Sequence, residues 1–543
     1  MAAPAQAHFD AVVVGAGFSG LYMLHRLRQL QLAVRVYEAG EDVGGTWYWN
    51  RYPGARCDSE SVYYMFPDHF SEEQLQEWTW SERYAAQPEI LRYLQYIADK
   101  FDLRRDIQFS TRVVAAVFDE DRNLWQIATD RGDSVTARFF ITAVGCLSMA
   151  NIPQFKGLES FRGKWYHTGR WPHEPVDFTG QRVAVIGTGA TGVQVVPEVA
   201  QQAQHVYVFQ RTPNYNIPGR NRPLDPDYVR ELKANYKQIW DKARQSWGGF
   251  PWEPATTSAL SVPPEERQRV FEERWARGGL SFTQAFNDLI INREANETAC
   301  EFIRSKIREI VKDPQVAEAL CPKDHPFASR RPPLEHGYYE AFNRDNVTLV
   351  DVRRSPIVEI TPNGVRTTEA EYEVDCIIFA TGFDAMTGAL FAIDIRGRGG
   401  QSLRSKWADG PRTYLGLATS GFPNMFIITG PQSPSVLTNM PVAIEQHVEW
   451  IADCIRYMRD RQLDCIEALP EAEERWVAHH NQVASATLIA ETNSWWTGTN
   501  IPGKPRLVYP YCGGFNNYRQ ICDDVAAKGY EGFAFNPVPA ARA

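Results

Sequence analysis

Apolar and polar positions repeat one arrangement twice along this chain: an apolar run, a glycine-rich turn, a helical pattern and a second apolar run. In FDAVVVGAGFSG the apolar run at 11–14 predicts a β-strand, LYMLHRLRQL continues with helical spacing, and AVRVYE predicts a second strand that ends in Glu38. In QRVAVIGTGATG the helical pattern runs to about Gln202, and HVYVFQR predicts the second strand. Each stretch is therefore expected to form a βαβ unit.

The glycines of both turns have the spacing of a dinucleotide-binding loop. They allow a tight turn and let a pyrophosphate approach the helix N-terminus, where unpaired N–H groups and the helix dipole favour an anion. An acid at the end of the second strand can accept hydrogen bonds from ribose hydroxyls. The first unit is therefore predicted to bind FAD through Gly15, Gly17, Phe18, Ser19, Gly20 and Glu38.

The second unit lacks that acid. Gln210 stands in its place, and Arg211 and Thr212 follow. A carboxylate would repel a 2′-phosphate, whereas a guanidinium and a hydroxyl can bind one through charge-assisted hydrogen bonds. The alternative for Arg211 is a solvated loop cation. This unit is predicted to bind NADPH through Gly187, Thr188, Gly189, Ala190, Thr191, Gly192, Gln194, Arg211 and Thr212.

The rest of the chain is expected to complete these two domains. The apolar runs at 137–145 and 373–384 predict strands, and the region from about 223 to 322 is rich in charged residues and tryptophan at helical spacing. The predicted fold class is α/β, with two Rossmann-like dinucleotide-binding domains, for FAD and NADP, and a helical insertion in the NADP domain. The expected segments are 1–146 (FAD), 147–222 (NADP), 223–324 (insertion), 325–384 (NADP) and 385–543 (FAD).

Composition narrows the class of protein. A length of 543 residues predicts two or three domains, and a net charge of -9 without basic runs argues against a nucleic-acid partner. The N-terminus has no signal-peptide pattern, and no apolar run is long enough to cross a membrane. Nine scattered cysteines without a CxxC pair indicate reduced thiols rather than a disulfide or zinc framework. We expect a cytoplasmic monomer or weak homo-oligomer, with no metal and no membrane partner.

The stretch FRGKWYHTGRWP lies between the two predicted units and has the pattern Phe-x-Gly-x-x-x-His-x-x-x-Trp-Pro. This pattern resembles the fingerprint of type I Baeyer–Villiger monooxygenases, and the similarity extends over nearly the whole chain, closest to the phenylacetone and steroid monooxygenase branch. The resemblance implies that His167 belongs to a linker between the domains, although plain packing explains it equally well. No catalytic role is assigned to the fingerprint residues Phe161, Gly163, His167, Trp171 and Pro172.

The resemblance also implies the reaction. With NADPH and dioxygen, and through a peroxyflavin, a ketone is converted to an ester or lactone; sulfides are further candidate substrates. The family's oxygenating arginine corresponds to Arg331, which Asp58 would position; without the resemblance such a pair would be read as a plain salt bridge. Most relatives have a lysine where this chain has Arg330, so the strength of its contact with the 2′-phosphate is open. By resemblance, further cofactor contacts are Gly45, Thr46, Trp47, Tyr52, Asp58, Arg330 and Trp495.

The substrate pocket is expected beside the loop GPQSPSVLTNM (430–440), which is about two residues longer than in cyclohexanone-type members. Its predicted lining is Cys146, Val436, Leu437 and Met440, with core packing as the alternative. By resemblance, the substrate is an aryl, bulky cyclic or steroid-like ketone. One alternative function is a heteroatom-oxidising flavin monooxygenase, whose fingerprint lacks the Trp-Pro ending; another is a flavin-binding redox sensor without turnover.

Overall fold

Strands and helices alternate over most of the chain in a computed structural model that describes residues 7–537. The strands are β1 (Ala7–Val14), β2 (Val34–Tyr37), β3 (Ile107–Gln108), β4 (Val113–Asp119), β5 (Leu124–Thr129), β6 (Ser134–Thr142), β7 (Lys164–His167), β8 (Arg182–Ile186), β9 (His205–Gln210), β10 (Ile217–Pro218), β11 (Leu334–Glu335), β12 (Val347–Asp351), β13 (Ile357–Thr361), β14 (Gly364–Thr367), β15 (Glu371–Glu373), β16 (Cys376–Phe379), β17 (Asp394–Arg396), β18 (Met425–Ile427), β19 (Leu463–Ala468) and β20 (Phe533–Pro537).

The helices vary widely in length, and the longest, at 21 residues, follows the predicted pocket loop. They are α1 (Phe18–Gln29), α2 (Thr46–Trp49), α3 (Glu72–Glu77), α4 (Gln87–Lys100), α5 (Ala190–Gln202), α6 (Pro226–Ala234), α7 (Tyr236–Arg244), α8 (Pro264–Arg277), α9 (Arg293–Ile310), α10 (Pro314–Leu320), α11 (Tyr338–Ala341), α12 (Gly388–Phe391), α13 (Leu403–Lys406), α14 (Met440–Asp460), α15 (Pro470–Ser485) and α16 (Phe515–Ala527).

The first predicted βαβ unit is confirmed. Strand β1 pairs in parallel with β2 and with β6, and α1 connects β1 to β2. The sheet continues in the order β17-β4-β5-β6-β1-β2-β3, with β18 also paired to β6. Alternate β1 residues serve the two faces: Ala11 and Val13 pack in one core with α1 and α14, and Val12 and Val14 pack in another with β17.

The second unit is confirmed as well. Strands β8 and β9 are parallel neighbours joined by α5, within a sheet of order β12-β9-β8-β16-β7 in which every pairing is parallel. Both glycine-rich turns therefore follow the carboxyl end of a central strand. This is the edge of an open parallel sheet at which nucleotides bind.

The charged region forms the predicted helical insertion. Helices α6 to α10 lie between β10 and β11, and α8 and α9 pack their apolar faces through Phe271, Phe302 and Ile303 into the core that also contains α5. After β16 the chain returns to the first sheet through β17 and β18. The structure thus has the predicted fold class. Among residues 7–537, no helix combines the length and apolar character needed to cross a bilayer.

Candidate active site between two glycine-rich loops

The two glycine-rich loops have the same local geometry. Gly15 and Gly187 have φ values of 105° and 113°, and a Cβ on either would lie 2.4 Å from a carbonyl oxygen of the neighbouring strand end. A Cβ on Gly20 would lie 1.7 Å from the Gly15 oxygen, and one on Gly192 would lie 2.2 Å from the Gly187 oxygen. Only glycine fits at these positions, so each helix N-terminus sits directly against the end of its strand.

Both loops open into one cavity of about 1680 Å³. The predicted site residues that line it are Gly15, Gly17, Phe18, Ser19, Glu38, Gly45, Thr46, Trp47, Tyr52, Asp58, Cys146, Trp171, Gly187, Thr188, Gly189, Ala190, Thr191, Gln194, Arg211, Thr212, Arg330, Arg331, Val436, Met440 and Trp495. Outside its lining, though within the described chain, lie Gly20, Gly192, Phe161, Gly163, His167, Pro172 and Leu437.

Glu38 braces the first loop from within. Its carboxylate accepts hydrogen bonds from the N–H groups of Ala16 and Gly40, each over 2.7 Å. Burial raises the pKa of Glu38, and these N–H donors act in the opposite direction. The Glu38 carboxylate also lines the cavity, where a ribose hydroxyl can donate a hydrogen bond to it. This contact with FAD stays a prediction.

Gln194 connects the second loop to the first half of the chain. Its side-chain oxygen accepts from the Tyr52 hydroxyl over 2.6 Å, and its side-chain nitrogen donates to the Arg56 carbonyl over 3.0 Å. Gln194 and Tyr52, which are both predicted to contact a cofactor, are therefore hydrogen-bonded to each other in this structure. The bridge fixes the segment that leads to Asp58 against helix α5.

Arg331 is held at the cavity wall by three hydrogen bonds. Its Nε and Nη2 donate to the two carboxylate oxygens of Asp58 over 2.5 and 2.8 Å, and its Nη1 donates to the Val436 carbonyl over 2.9 Å. Burial disfavours the cation, but the charge of Asp58 and its hydrogen bonds prevail, and the pKa of Arg331 is raised above its ordinary value. The guanidinium is thus a permanent positive charge in a fixed orientation.

The pocket loop forms the wall beside this cation. Residues Ser435–Leu437 make a single 3-10 turn, and Val436 and Met440 line the cavity together with Cys146. Leu437 packs into the cluster behind the wall, which also contains Trp495. Burial raises the pKa of the Cys146 thiol to about 12, so it is protonated at neutral pH and acts as a small apolar group.

The fingerprint stretch forms the edge of the second sheet. His167 ends β7, is 2% exposed, and accepts a hydrogen bond from the Gly169 N–H at Nδ1 over 3.0 Å. Burial lowers the pKa of His167 to about 4, so the ring is neutral. A Cβ on Gly163 would lie 2.3 Å from the Asp375 oxygen, and Trp171 packs near Tyr166 and Phe178.

Two polar residues beside the second loop were missed by sequence reasoning. Arg353 and Asp324 line the cavity next to Arg211, Thr212 and Arg330. The only signal was positional: Arg353 follows a strand-like stretch, VTLVDV, and the sequence does not show which strand that stretch pairs with. The Val436 carbonyl, which accepts a hydrogen bond from Arg331, was also not predicted from the sequence.

The donors present fit two dinucleotides. Each loop ends at a helix N-terminus whose N-cap is a glycine, Gly17 or Gly189, so no cap side chain occupies the N–H groups that an anion would bind. At the second loop, the buried Nε of Arg330 has no hydrogen-bond acceptor within residues 7–537. A bound anion would supply the acceptor that a buried donor needs. Burial is the main cause of the lowered pKa of Arg330, and an anion would offset it.

Comparison with known proteins identifies the family. A family model described as FMO-like, flavin-binding monooxygenase-like, matches residues 10–229. A Baeyer–Villiger monooxygenase of Pseudooceanicola batsensis is 47% identical over 528 residues, which cover 96% of this chain and 96% of that protein. The chain belongs to the Baeyer–Villiger monooxygenase family. The predicted family is thereby confirmed.

Two further similarities describe the range within this Baeyer–Villiger monooxygenase family. A solved structure, oxidized steroid monooxygenase bound to NADP, has a TM-score of 0.94 at 53% identity and covers 98% of this chain and 100% of that chain. A phenazine N-monooxygenase of Lysobacter antibioticus is 45% identical over 98% of this chain and 98% of that protein. Because that relative is named for a reaction at nitrogen, membership alone does not determine which atom of the substrate is oxidised.

Proposed function

We propose that this protein is a Baeyer–Villiger monooxygenase that uses FAD, NADPH and dioxygen to insert one oxygen atom beside a ketone carbonyl, giving an ester or lactone. The observation that carries the proposal is the orientation of Arg331, which Asp58 and the Val436 carbonyl fix on the wall of the cavity shared by both loops. A binding protein without turnover would have no need for a cation held in one orientation at this point of the cavity wall.

The two loops divide the cofactors between them. Residues 15–20, Glu38, 45–47 and Tyr52 would hold FAD, and 187–194 with Arg211, Thr212, Arg330 and Trp495 would hold NADPH. The similar steroid monooxygenase structure has NADP bound, which supports the second assignment. When bound, these groups supply the electrons that reduce dioxygen; the protein's contribution is position and charge.

Arg331 would stabilise the negative charge that develops on the substrate's carbonyl oxygen during oxygen insertion. A fixed positive charge that is already oriented toward the reacting atoms needs no reorganisation during the reaction, and it acts more strongly than a mobile charge in solvent. Its raised pKa means that it stays protonated and does not act as a general acid. Asp58 would act as a positioning residue, because its two oxygens fix the plane of the guanidinium.

The substrate class we propose is a bulky ketone: aryl, cyclic or steroid-like. The support is the similarity to the steroid monooxygenase structure and the apolar wall formed by Cys146, Val436 and Met440. Oxidation of a nitrogen or sulfur atom is the second candidate, which the phenazine N-monooxygenase favours.

One experiment separates these candidates. The purified protein is incubated with NADPH and a panel of linear, cyclic, aryl and steroid ketones, with a phenazine and an aryl sulfide in parallel, and products are identified by mass. Esters or lactones from the bulkier ketones support the proposal. Oxidation of the heteroatom substrates alone would replace it with the second candidate.

We also propose the domain division given by the expected segments, a cytoplasmic location, and a monomeric or weakly associated state. All nine cysteines are free and buried, which is typical of a reducing compartment. Light scattering after gel filtration measures the oligomeric state directly.

A further inference from the structure

The residues that follow two paired strands meet beside the second glycine-rich loop. Strands β9 and β12 are parallel neighbours, with Gln210 opposite Asp351 at their last positions. The residues after each strand therefore emerge at the same edge of the sheet: 211–212 after β9, and Arg353 after β12. Sequence reasoning assigned only the first of these segments to a 2′-phosphate.

Arg353 is held on one side and open to the cavity on the other. Its backbone N–H donates to the Asp351 carboxylate over 3.0 Å, and its Nη2 donates to the Thr212 hydroxyl over 3.1 Å. The same guanidinium forms an ion pair with Asp324. Its side chain is 48% exposed and lines the cavity, so it can contact a bound molecule without leaving its partners.

The net positive charge of the groups around Arg353 matches the negative charge of a phosphate monoester. The lining here supplies three guanidinium groups and one carboxylate, from Arg211, Arg330, Arg353 and Asp324, which sum to two positive charges; the Asp351 carboxylate, bound to the Arg353 N–H, does not line the cavity. The Nδ1–H of His325 donates to the Asp324 carboxylate over 2.7 Å, and burial lowers the pKa of the His325 imidazole, so the ring adds no charge at neutral pH. A phosphate ester carries about 1.5 to 2 negative charges at pH 7. Arg211 and Arg330 together with Asp324 would supply only one net positive charge, about half of the charge on the phosphate.

We propose that Arg353 is a third arginine for the 2′-phosphate of the nicotinamide cofactor and a determinant of the preference for that phosphate. The inference rests on the proposed use of NADPH. Thr212 and Asp324 both engage Nη2, and the Nε and Nη1 donors of Arg353 have no hydrogen-bond partner among residues 7–537, so they are available to a phosphate. The charge-assisted hydrogen bonds it would form depend on the phosphate and are lost with a ligand that lacks it.

The test compares two ligands that differ only in this group, adenosine 2′,5′-bisphosphate and adenosine 5′-monophosphate, titrated calorimetrically into the flavin-loaded full-length protein. Arg353→Ala should weaken binding of the bisphosphate by about tenfold to a hundredfold and leave the monophosphate nearly unchanged. Arg353→Lys should fall between, because it keeps the charge without the planar fork. Arg354→Ala is the matched control: the neighbouring arginine is 81% exposed, pairs with Glu369, and does not line the cavity.

The results separate the role of Arg353 from the proposed use of NADPH. If the unmodified protein prefers the bisphosphate and Arg353→Ala keeps that preference, the role of Arg353 is wrong while NADPH use stands. If Arg353→Ala weakens both ligands equally, the residue contacts the adenosine and the inference is overturned. If the unmodified protein does not discriminate at all, the proposed NADPH preference fails as well. Retained flavin absorbance and melting temperature in each variant exclude misfolding.

Discussion

Arg331 is the residue on which the proposed chemistry depends. Replacing it with alanine removes one preoriented positive charge from the cavity wall, and such a loss typically costs about 2.7–4 kcal/mol, or roughly a hundred- to thousandfold in rate. Consumption of NADPH needs the nicotinamide near the flavin rather than this cation, so we expect it to continue at a reduced rate. Arg331→Ala should therefore consume NADPH, release hydrogen peroxide and form almost no ester.

Parallel assays of NADPH, hydrogen peroxide and ester measure this uncoupling. Asp58→Ala should show the same pattern more mildly, because the arginine keeps its charge and its bond to the Val436 carbonyl but loses its bidentate partner. Near-normal ester formation by Arg331→Ala would place the oxygenating group elsewhere in the cavity.

Residues differ in how far their surroundings could be predicted. The pair of Asp58 and Arg331 was expected because the family resemblance names both side chains. The Val436 carbonyl was not, since the direction of a backbone oxygen is set by the fold of its loop. Arg353 was missed because its contact with Thr212 spans 141 residues, and nothing local in the sequence shows that β12 pairs with β9.

At the scale of elements, the two βαβ units were predictable because their determinants are local. A glycine at positions 15, 20, 187 or 192 is required by contacts within a few residues or with one neighbouring strand end. The return of β17 and β18 to the first sheet, more than 240 residues after β6, depends on long-range packing; the apolar runs and the helical pattern between them predicted only that the domain is split.

The pocket loop at 430–440 has two functions that one deletion would disturb together. Removing Ser435 and Val436 should shift activity from bulky ketones toward small cyclic ones, because this loop bounds the cavity. It should also increase release of hydrogen peroxide, because Arg331 loses the carbonyl that accepts from its Nη1.

A substitution separates the two effects of that loop. Val436→Ala changes the pocket wall but keeps the backbone carbonyl, so it should alter the substrate profile without raising the peroxide yield. Product ratios across the ketone panel and peroxide per NADPH are the measurements. An unchanged substrate profile in the deletion variant would mean that this loop does not bound the substrate pocket.

At the scale of the whole molecule, a buried ion network joins the helical insertion to the first sheet's helices. Arg244 of α7 is 4% exposed, forms an ion pair with Asp68 and donates to Glu445 of α14 over 2.6 Å. Arg244→Ala would leave these carboxylates without their main partner, which costs about 3–5 kcal/mol for a buried pair. We therefore expect a melting temperature several degrees lower.

Arg230→Ala is the control for that prediction. Arg230 also lies in the insertion and pairs with Asp227, but both side chains are more than 70% exposed, and such pairs contribute little to stability. Thermal unfolding followed by flavin fluorescence compares the two variants. Equal melting temperatures would show that the Arg244 network does not hold the insertion in place.

In the proposed reaction one atom of dioxygen enters the bond beside a ketone carbonyl, and isotope labelling measures this insertion directly. The purified protein is supplied with NADPH, a bulky aryl or steroid ketone and ¹⁸O₂ in ordinary water, and the product is analysed by mass. The proposed function predicts an ester or lactone that carries a single ¹⁸O atom, located in the newly formed C–O–C linkage. NADPH oxidation without any such product across the ketone panel, or a product whose added oxygen is unlabelled, would contradict it.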